Sequence, residues 1–259
     1  MAGKDASPCE LLRWDTAFFG FRVARVRADR LDPARAEQID RWCIDNDIGC
    51  LYFLACSTDA STCRAAEDNH YRLVDIRVTL TNKEPDQAQW RLAAAEPSDA
   101  VVRQVQSQDV QVLVDLACKS HRDSRFYYDL NFPPRLGEAL YETWMKRSCD
   151  GYADAVLVAE LDESVVGYVS CHLDREHLGG RIGLAGVAGG AQSQGVGQKL
   201  VDHALEWFAA HGAREVSVVT QGRNCAAQRL YQRCGFLTQQ TELWYHKWYL
   251  PGTGEVTIA

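Results

Sequence analysis

The order of apolar and polar positions predicts strands that alternate with helices through the first part of the chain. Apolar and β-branched runs at 21–26, 49–55 and 71–80 are typical of strands. Between them, 33–46 and 60–68 carry apolar residues at helical spacing. This alternation predicts a small α/β domain at the start of the chain.

The same alternation resumes after a polar, alanine-bearing stretch at 81–100, which we interpret as a connection. The predicted domains are therefore 1–95 and 100–250, and the fold class is α/β (α+β). The second domain opens with the strand-like VVRQVQ from Val101. Its further predicted helices are 110–120, 134–147, 198–210 and 225–234, and its strands are 154–161, 164–173, 180–188, 215–221 and 237–248, with a loop at 121–134 and a hairpin turn at Asp162-Glu163.

The segment Ile182–Gly197, which reads IGLAGVAGGAQSQGVG, predicts a strand, a glycine-bearing loop and the start of a helix. Gly195 and Gly197 allow a ligand to approach the backbone closely. The first amides of a helix have no intrahelical partner and carry partial positive charge, so they form a seat for a phosphate group. The spacing matches neither a Walker loop nor a dinucleotide fingerprint, because Gly-Lys-Ser/Thr and a third glycine are both missing.

A second segment follows one helix later. The strand-like EVSVVTQ at 215–221 is followed by Asn224, which is a good helix N-cap, and by a predicted helix that places Tyr231 on its apolar face. Gly235 is the predicted C-terminal cap of that helix. On the helix pattern alone, Tyr231 is a core tyrosine and Asn224 is only a cap.

These two segments, in this order and spacing, resemble the GCN5-related N-acetyltransferase (GNAT) superfamily. The resemblance implies the GNAT fold, a mixed central sheet flanked by helices, preceded here by a smaller N-terminal α/β domain that is alternatively a degenerate half of the same kind. It also implies acetyl-CoA as cosubstrate and direct transfer of the acetyl group to an amine.

The resemblance further assigns roles to individual residues. The strand backbone near Leu184, Ala185 and Val187 is expected to bind the pantetheine arm, together with Asn224. Tyr231 is expected to act as general acid towards the coenzyme A thiolate, since a tyrosine with an ordinary pKa near about 10 remains protonated at neutral pH. The loop residues expected to hold the pyrophosphate are Gln192, Ser193, Gln194, Gly195, Val196 and Gly197.

The composition of the chain argues against several other classes of function. A net charge of −7 and the lack of a basic block argue against nucleic acid as a partner. No apolar run approaches the length of a membrane span, and the N-terminus has no signal-like apolar core, so we expect a cytoplasmic protein. The ten cysteines form no Cys-x-x-Cys pair, so we interpret them as reduced core residues and expect no metal site.

The run from Leu12 to Phe21 resembles the start of the TDP-fucosamine acetyltransferases within that superfamily, and so do the Ser124-Arg125-Phe126 loop and the helix that carries Tyr141 and Trp144. This resemblance implies a nucleotide-linked amino-dideoxy sugar as acceptor, in polysaccharide biosynthesis. Arg125, Phe126 and His172 are the candidate substrate-binding residues. The structural alternatives are a solvated loop or a surface salt bridge for Arg125 and a surface strand position for His172.

Two alternatives remain at this stage. One is acetylation of another amine, such as an antibiotic, a polyamine or a protein N-terminus, and the other is a non-catalytic acyl-CoA sensor. The sequence leaves open the sugar, the nucleotide, the acylated nitrogen, the acyl chain length and the general base. The C-terminal strand 243–250 either pairs across a homodimer or covers the protein's own core.

Overall fold

The computed structural model describes residues 7–85 and 98–249. Most of the predicted connection at 81–100 and the last residue of the predicted C-terminal strand therefore lie outside the described residues. The strands are β1 (Cys9–Leu11), β2 (Val23–Val26), β3 (Cys50–Cys56), β4 (Arg72–Asn82), β5 (Val101–Gln104), β6 (Ala155–Leu161), β7 (Ser164–Asp174), β8 (Gly179–Val187), β9 (Glu215–Gln221) and β10 (Leu237–Trp248). The helices are α1 (Arg13–Phe19), α2 (Pro33–Asp45), α3 (Ala60–Asp68), α4 (Val110–Ser120), α5 (Arg125–Tyr128), α6 (Pro134–Arg147), α7 (Val196–Ala210) and α8 (Cys225–Arg233).

The chain divides into two compact units, and strands β4 and β10 contribute residues to both. The first unit takes the described residues up to Arg77 together with those from Thr241 onwards, and the second runs from Val78 to Gln240. The predicted domain limits of 1–95 and 100–250 stay a prediction.

The first unit is a mixed sheet with its own apolar core. Strands β1 and β2 are antiparallel, β2 and β3 are parallel, and β3 pairs antiparallel with β10. Helix α2 begins at Pro33 because Asp32 caps it by accepting the N–H of Arg35, and it buries Ile39 and Cys43 against the sheet residues of this core.

The second unit is also a mixed sheet, in the strand order β9-β8-β7-β6-β5, with the β8–β9 pair parallel and the others antiparallel. Successive side chains of a strand point to opposite faces. On one face, Val169 and Cys171 of β7 pack in a core with α7 and α8. On the other face, Tyr168 packs in a core with α4 and α6. The predicted fold class and the mixed sheet flanked by helices are confirmed.

Several local expectations need correction. The predicted loop at 121–134 contains the short helix α5. Helix α7 begins at Val196 rather than at 198, because Gly195 adopts the left-handed conformation that ends the loop. Helix α1 was not predicted; it occupies the Leu12–Phe21 run and ends at Gly20, which is also left-handed (φ 80°).

The C-terminal strand pairs within its own chain. Residues Glu242–Trp248 of β10 lie in register with Cys50–Cys56 of β3, and β4 is its neighbour on the other side. This corrects the alternative in which the strand pairs across a dimer, because both of its edges already have partners. A homodimer formed through another surface stays a prediction.

Two adjacent glycines of β8 allow a test of how tightly this strand packs. A Cβ on Gly180 would lie 2.5 Å from the ring of the buried Phe208, whereas a Cβ on Gly179 would meet nothing closer than 3.7 Å. We expect Gly180→Ala to lower the free energy of unfolding by about 1–3 kcal/mol. The matched Gly179→Ala variant should stay within about 0.5 kcal/mol of the wild type in urea denaturation. Equal stability of the two variants would contradict this packing.

Candidate active site

A cleft opens where strands β8 and β9 separate. The parallel pairing of these strands covers only Gly179–Ile182 with Glu215–Val218 in the described structure. On its other edge β8 carries a bulge: between the pairs Cys171–Ile182 and Val169–Ala185, two residues of β8 face one residue of β7. A bulge bends its strand, and this bend coincides with the end of the pairing to β9.

The cleft continues into a cavity of about 730 Å³ in the second unit. Strands β7 and β8, the loop after β8 and helices α7 and α8 supply most of its lining, and the end of α4 and the residues after it supply the rest. Of the predicted site residues, the lining includes Ala185, Val187, Gln192, Ser193, Gly195, Gly197, Asn224 and Tyr231, while Leu184, Gln194, Val196, Arg125, Phe126 and His172 are not part of it.

The backbone of β8 presents unused polar groups to this cavity. Ala188 donates its N–H to the carbonyl of Val166 on β7 at 2.7 Å. Hydrogen-bonded and non-bonded pairs alternate along an antiparallel ladder, so the backbone groups of Val187 point away from β7, and those of Ala185 do the same. The Val187 carbonyl accepts a hydrogen bond from Gln192 Nε2 at 3.2 Å. The N–H groups of Ala185 and Val187 and the Ala185 carbonyl therefore face the cleft.

Leu184 differs from its two neighbours in this strand. Its N–H donates to Ser170 Oγ at 2.8 Å, and its side chain packs against the apolar core beside α4. The hydroxyl of the fully buried Ser170 thus satisfies a backbone amide that the bulge leaves without a partner. The expected role of Leu184 in binding a ligand stays a prediction.

The loop after β8 is held by its own side chains. Gln194 Nε2 donates to the Gly190 carbonyl at 2.8 Å, and Gln192 holds Val187 as described. Helix α7 makes its first bond from the Lys199 N–H to the Gly195 carbonyl at 3.0 Å. The amides of residues 196–198 therefore have no intrahelical partner, which is the arrangement that attracts an anion.

The two loop glycines serve different purposes. Gly195 is left-handed, with φ 72°, at the helix N-cap. A Cβ on Gly197 would lie 3.2 Å from Leu230, so this glycine lets α7 pack closely on α8. The buried Val196 between them belongs to the core.

Helix α8 brings Asn224 and Tyr231 to the same cavity. Asn224 caps the helix by accepting the Ala227 N–H with Oδ1 at 3.0 Å, as predicted. Gly235, with φ 81°, ends the helix, and the Phe236 N–H donates to the Tyr231 carbonyl. Tyr231 is only 6% exposed. Burial, followed by the nearby Cys234, raises the pKa of Tyr231 above its ordinary value, so its phenol stays protonated well into the alkaline range.

The candidate substrate-binding residues lie apart from the cavity lining. Phe126 is buried in ring contact with Phe132 and Trp144, and the Arg125 guanidinium lies over the Phe126 ring at 4.4 Å. His172 is half-buried on β7, and burial followed by the charge of Arg181 lowers its pKa. Their contact with a substrate stays a prediction.

Sequence reasoning missed several residues of the cleft. Lys119, Arg229 and Arg233 contribute positive charge to the lining, against the single carboxylate of Asp123 among the lining residues of the described structure. Tyr168 also lines the cavity. Apolar spacing gave no signal for these positions, because they come from α4, β7 and α8 and meet only in the folded chain.

Arg223 joins two loops beside the cavity. It donates from Nη1 to the Asp123 carbonyl at 3.0 Å, and its guanidinium stacks on Tyr128 at 3.6 Å from the ring centroid. The turn before α8 is therefore connected to the segment that contains α5.

The described residues contain neither a cluster suited to a metal ion nor a helix suited to a membrane. In residues 7–85 and 98–249, no cluster of three or more His, Cys, Asp or Glu side chains is arranged to hold a metal ion. Among the same residues, none of the helices combines the length and apolar character that crossing a membrane requires. The cysteines in the described structure are free thiols.

The part of the chain that lines this cavity is similar to a known protein family. Residues 119–236, which contain the whole cavity lining, match the family model described as Acetyltransferase (GNAT) family. Residues 119–236 are thus a GNAT acetyltransferase domain, and GNAT enzymes use acetyl-CoA.

Two relatives and one solved structure extend the comparison. The chain is 26% identical over 241 residues to a dTDP-fucosamine acetyltransferase from Escherichia coli O6:H1, covering 92% of this chain and 97% of that protein. It is 27% identical over 141 residues to the spore coat polysaccharide biosynthesis protein SpsD of Bacillus subtilis, a match that spans 54% of this chain and only 48% of SpsD. A GCN5-related N-acetyltransferase from Sphaerobacter thermophilus superimposes with a TM-score of 0.63 at 17% identity, over 95% of this chain and 77% of that one, which supports the fold alone.

The Ser170 hydroxyl offers a test of the bulge that opens the cleft. Ser170→Ala leaves the part-buried Leu184 N–H without its partner, so we expect a loss of about 1–3 kcal/mol in the free energy of unfolding. The matched variant Ser164→Ala removes an exposed hydroxyl at the start of the same strand and should change stability by less than about 0.5 kcal/mol. If urea denaturation gave the same midpoint for both variants, the hydroxyl would not support the bulge.

Proposed function

We propose that this enzyme transfers the acetyl group of acetyl-CoA directly to the amino group of a nucleotide-linked amino-dideoxy sugar. The observation that carries the proposal is the match to dTDP-fucosamine acetyltransferase, since it extends over nearly the full length of both chains. The relation to a polysaccharide biosynthesis protein points in the same direction. The product would feed the synthesis of a surface polysaccharide.

The cleft offers the groups that acetyl-CoA requires. The unpaired amides of residues 196–198 suit the pyrophosphate, and Gly195 leaves the backbone accessible beside them. The free backbone groups of Ala185 and Val187 suit the amide-rich pantetheine arm, which needs donors and acceptors along an extended path. Asn224 lies across the cleft from this strand and has the same assigned role.

Tyr231 is proposed as the general acid. Its phenol lines the cavity, and its raised pKa keeps the phenol protonated at neutral and moderately alkaline pH. As the carbon–sulfur bond breaks, Tyr231 gives its proton to the departing thiolate, so that coenzyme A leaves as a thiol.

The charge of the cleft supports an anionic acceptor over a peptide. An acceptor peptide N-terminus would favour an acidic groove, whereas three of the four charged side chains in the described lining are basic. The stacked pair of Arg223 and Tyr128 adds a guanidinium and an aromatic ring beside the lining residue Asp123, and such groups suit a nucleoside diphosphate.

The role of Tyr231 predicts a specific kinetic change. We expect Tyr231→Phe to lower kcat about 100-fold while leaving the Kd of acetyl-CoA within about twofold, since the variant loses only the hydroxyl that donates the proton. Because a general acid works in its protonated form and this pKa is raised, wild-type kcat should show no alkaline decline up to about pH 10. Assays of thiol release measure kcat, and calorimetry measures the Kd of acetyl-CoA.

The control is Tyr245→Phe, which removes a hydroxyl from a buried tyrosine of the first unit that does not line the cavity. It should keep wild-type kcat. Unchanged turnover in Tyr231→Phe would remove this tyrosine from the chemistry.

The acceptor is tested with a panel of amines. We expect thiol release from acetyl-CoA with TDP- or UDP-linked 3- or 4-amino-dideoxyhexoses, and little with polyamines, aminoglycosides or peptides. Turnover on one of those other amines alone would replace the sugar with that acceptor. Binding of acetyl-CoA by calorimetry without turnover on any amine would favour a sensor.

A further inference from the structure

Tyr168 lies between strand β8, which lines the cleft, and the opposite side of the sheet. It lines the cavity although the side chain has no solvent exposure. Its hydroxyl lies directly against β8, where a Cβ on Gly186 would come within 2.8 Å of Oη. Gly186 lies between Ala185 and Val187, the residues whose backbone groups face the cleft. A larger residue at 186 would therefore displace the Tyr168 hydroxyl from this strand.

His121 connects Tyr168 to Tyr141 of helix α6. Its Nε2 lies 2.9 Å from Tyr168 Oη, and its ring stacks on Tyr141 with centroids 4.6 Å apart and an angle of 9° between the planes. The histidine is half-buried, whereas Tyr168 is fully buried. In the described part of the chain, Nδ1 has no hydrogen-bond partner. The ring is thus held firmly in place, and one nitrogen remains unused.

Both groups are neutral at physiological pH. Burial lowers the pKa of His121 to about 4, and burial raises the pKa of Tyr168 above its ordinary value. The groups around them are Cys118, Lys119 and Asp123 near the end of α4, Tyr141 on α6 and Tyr231 on α8. A neutral phenol beside a neutral imidazole is able to pass a proton on without holding a charge.

We propose that Tyr168 and His121 form an exit path for the proton that the acceptor amine loses, leading from the cleft to solvent. This inference rests on the proposed function, which requires an amine to lose one proton for each acetyl group transferred. Tyr168 is the catalytic residue of the pair because it lines the cleft. His121 acts through it.

The amine nitrogen bonds to the thioester carbon and gains a positive charge, and it passes one proton to Tyr168 Oη. Tyr168 gives its own hydroxyl proton to His121 Nε2, and the proton on His121 Nδ1 leaves to water. The carbon–sulfur bond then breaks, and the thiolate takes a proton from Tyr231. The imidazole ends neutral with its proton on Nε2, and Tyr231 ends as a phenolate. A proton from water then enters at His121 Nδ1, Nε2 returns its proton to Tyr168, and Tyr168 gives a proton to Tyr231, so that all three groups are restored.

The low pKa of His121 suits a group that passes a proton on better than it suits a base that holds the proton. A base that must hold the proton through the reaction works best with a pKa near the working pH. A relay takes a proton at one nitrogen while it releases one from the other, so a weakly held proton leaves quickly. Asp123 is the other acceptor in the lining, and the experiment separates the two.

The experiment uses chemical rescue of the full-length enzyme. His121→Ala leaves a space between the Tyr141 ring and the Tyr168 hydroxyl that an imidazole molecule fits. We expect kcat to fall about 100-fold, with the Kd of acetyl-CoA unchanged, and added imidazole to restore at least about a tenth of the wild-type rate. In the double variant His121→Ala/Tyr168→Phe, imidazole should restore nothing, because the path then lacks its hydroxyl.

A pH profile provides a readout that a purely structural role would not move. Without the path, hydroxide must remove the proton, so kcat of His121→Gln should rise with pH from 7 to 9 while wild-type kcat stays level. The matched control is His203→Gln on α7, a half-buried histidine that bonds the Lys199 carbonyl and does not line the cavity. It should behave as wild type, and thermal unfolding should show all variants folded.

The outcomes distinguish this inference from the proposed function. Absence of imidazole rescue together with a level pH profile in His121→Gln would overturn the exit path, and the same pH dependence in Asp123→Asn instead would assign the proton to Asp123. Wild-type turnover on an amine other than a sugar nucleotide would overturn only the proposed acceptor, and the rescue experiment would then be carried out with that amine. No turnover on any amine would overturn both.

Discussion

The bulge in β8 is the feature on which the active site depends. Two residues of β8 face the single Ser170 of β7, the strand bends there, and the parallel pairing with β9 ends at Ile182. A strand that stayed flat would continue to pair, and its amides and carbonyls would be used within the sheet. Because it bends, the backbone groups of Ala185 and Val187 are left for a ligand, and both residues line the cavity.

The two ends of this cleft have different physical character. At the loop, the unpaired amides at the start of α7 offer partial positive charge, and the side chains of Gln192 and Gln194 hold the loop in shape. On the opposite side of β8, the buried Tyr168 and the half-buried His121 are in contact, and both are neutral at physiological pH. A polar end suits a diphosphate. An end with little water suits the proton transfers that accompany acetyl transfer from a thioester to an amine.

The helix that carries Tyr231 brings the proposed general acid and the proposed binding residue Asn224 together in one element. Asn224 caps its start and Gly235 ends it, so the helix has fixed limits. Its apolar face sets Tyr231 and Cys234 into the core, which fixes the phenol at the cavity and raises its pKa. The same burial that stabilises the helix therefore keeps Tyr231 protonated.

The sequence by itself determined the elements and the local motifs of this protein. Helices α4 and α6 and strands β9 and β10 have the predicted limits, because their caps and apolar periods are local properties of the chain. The loop before α7 and the Asn224–Tyr231 helix were recognisable for the same reason. Only the tertiary structure decided that Leu184 uses its amide on Ser170, that Phe126 lies in the core, and that His121 meets Tyr168 across 47 positions of the chain. Such contacts depend on how strands bend and on which faces of distant elements pack together, and a one-dimensional pattern of apolar residues carries no information about either.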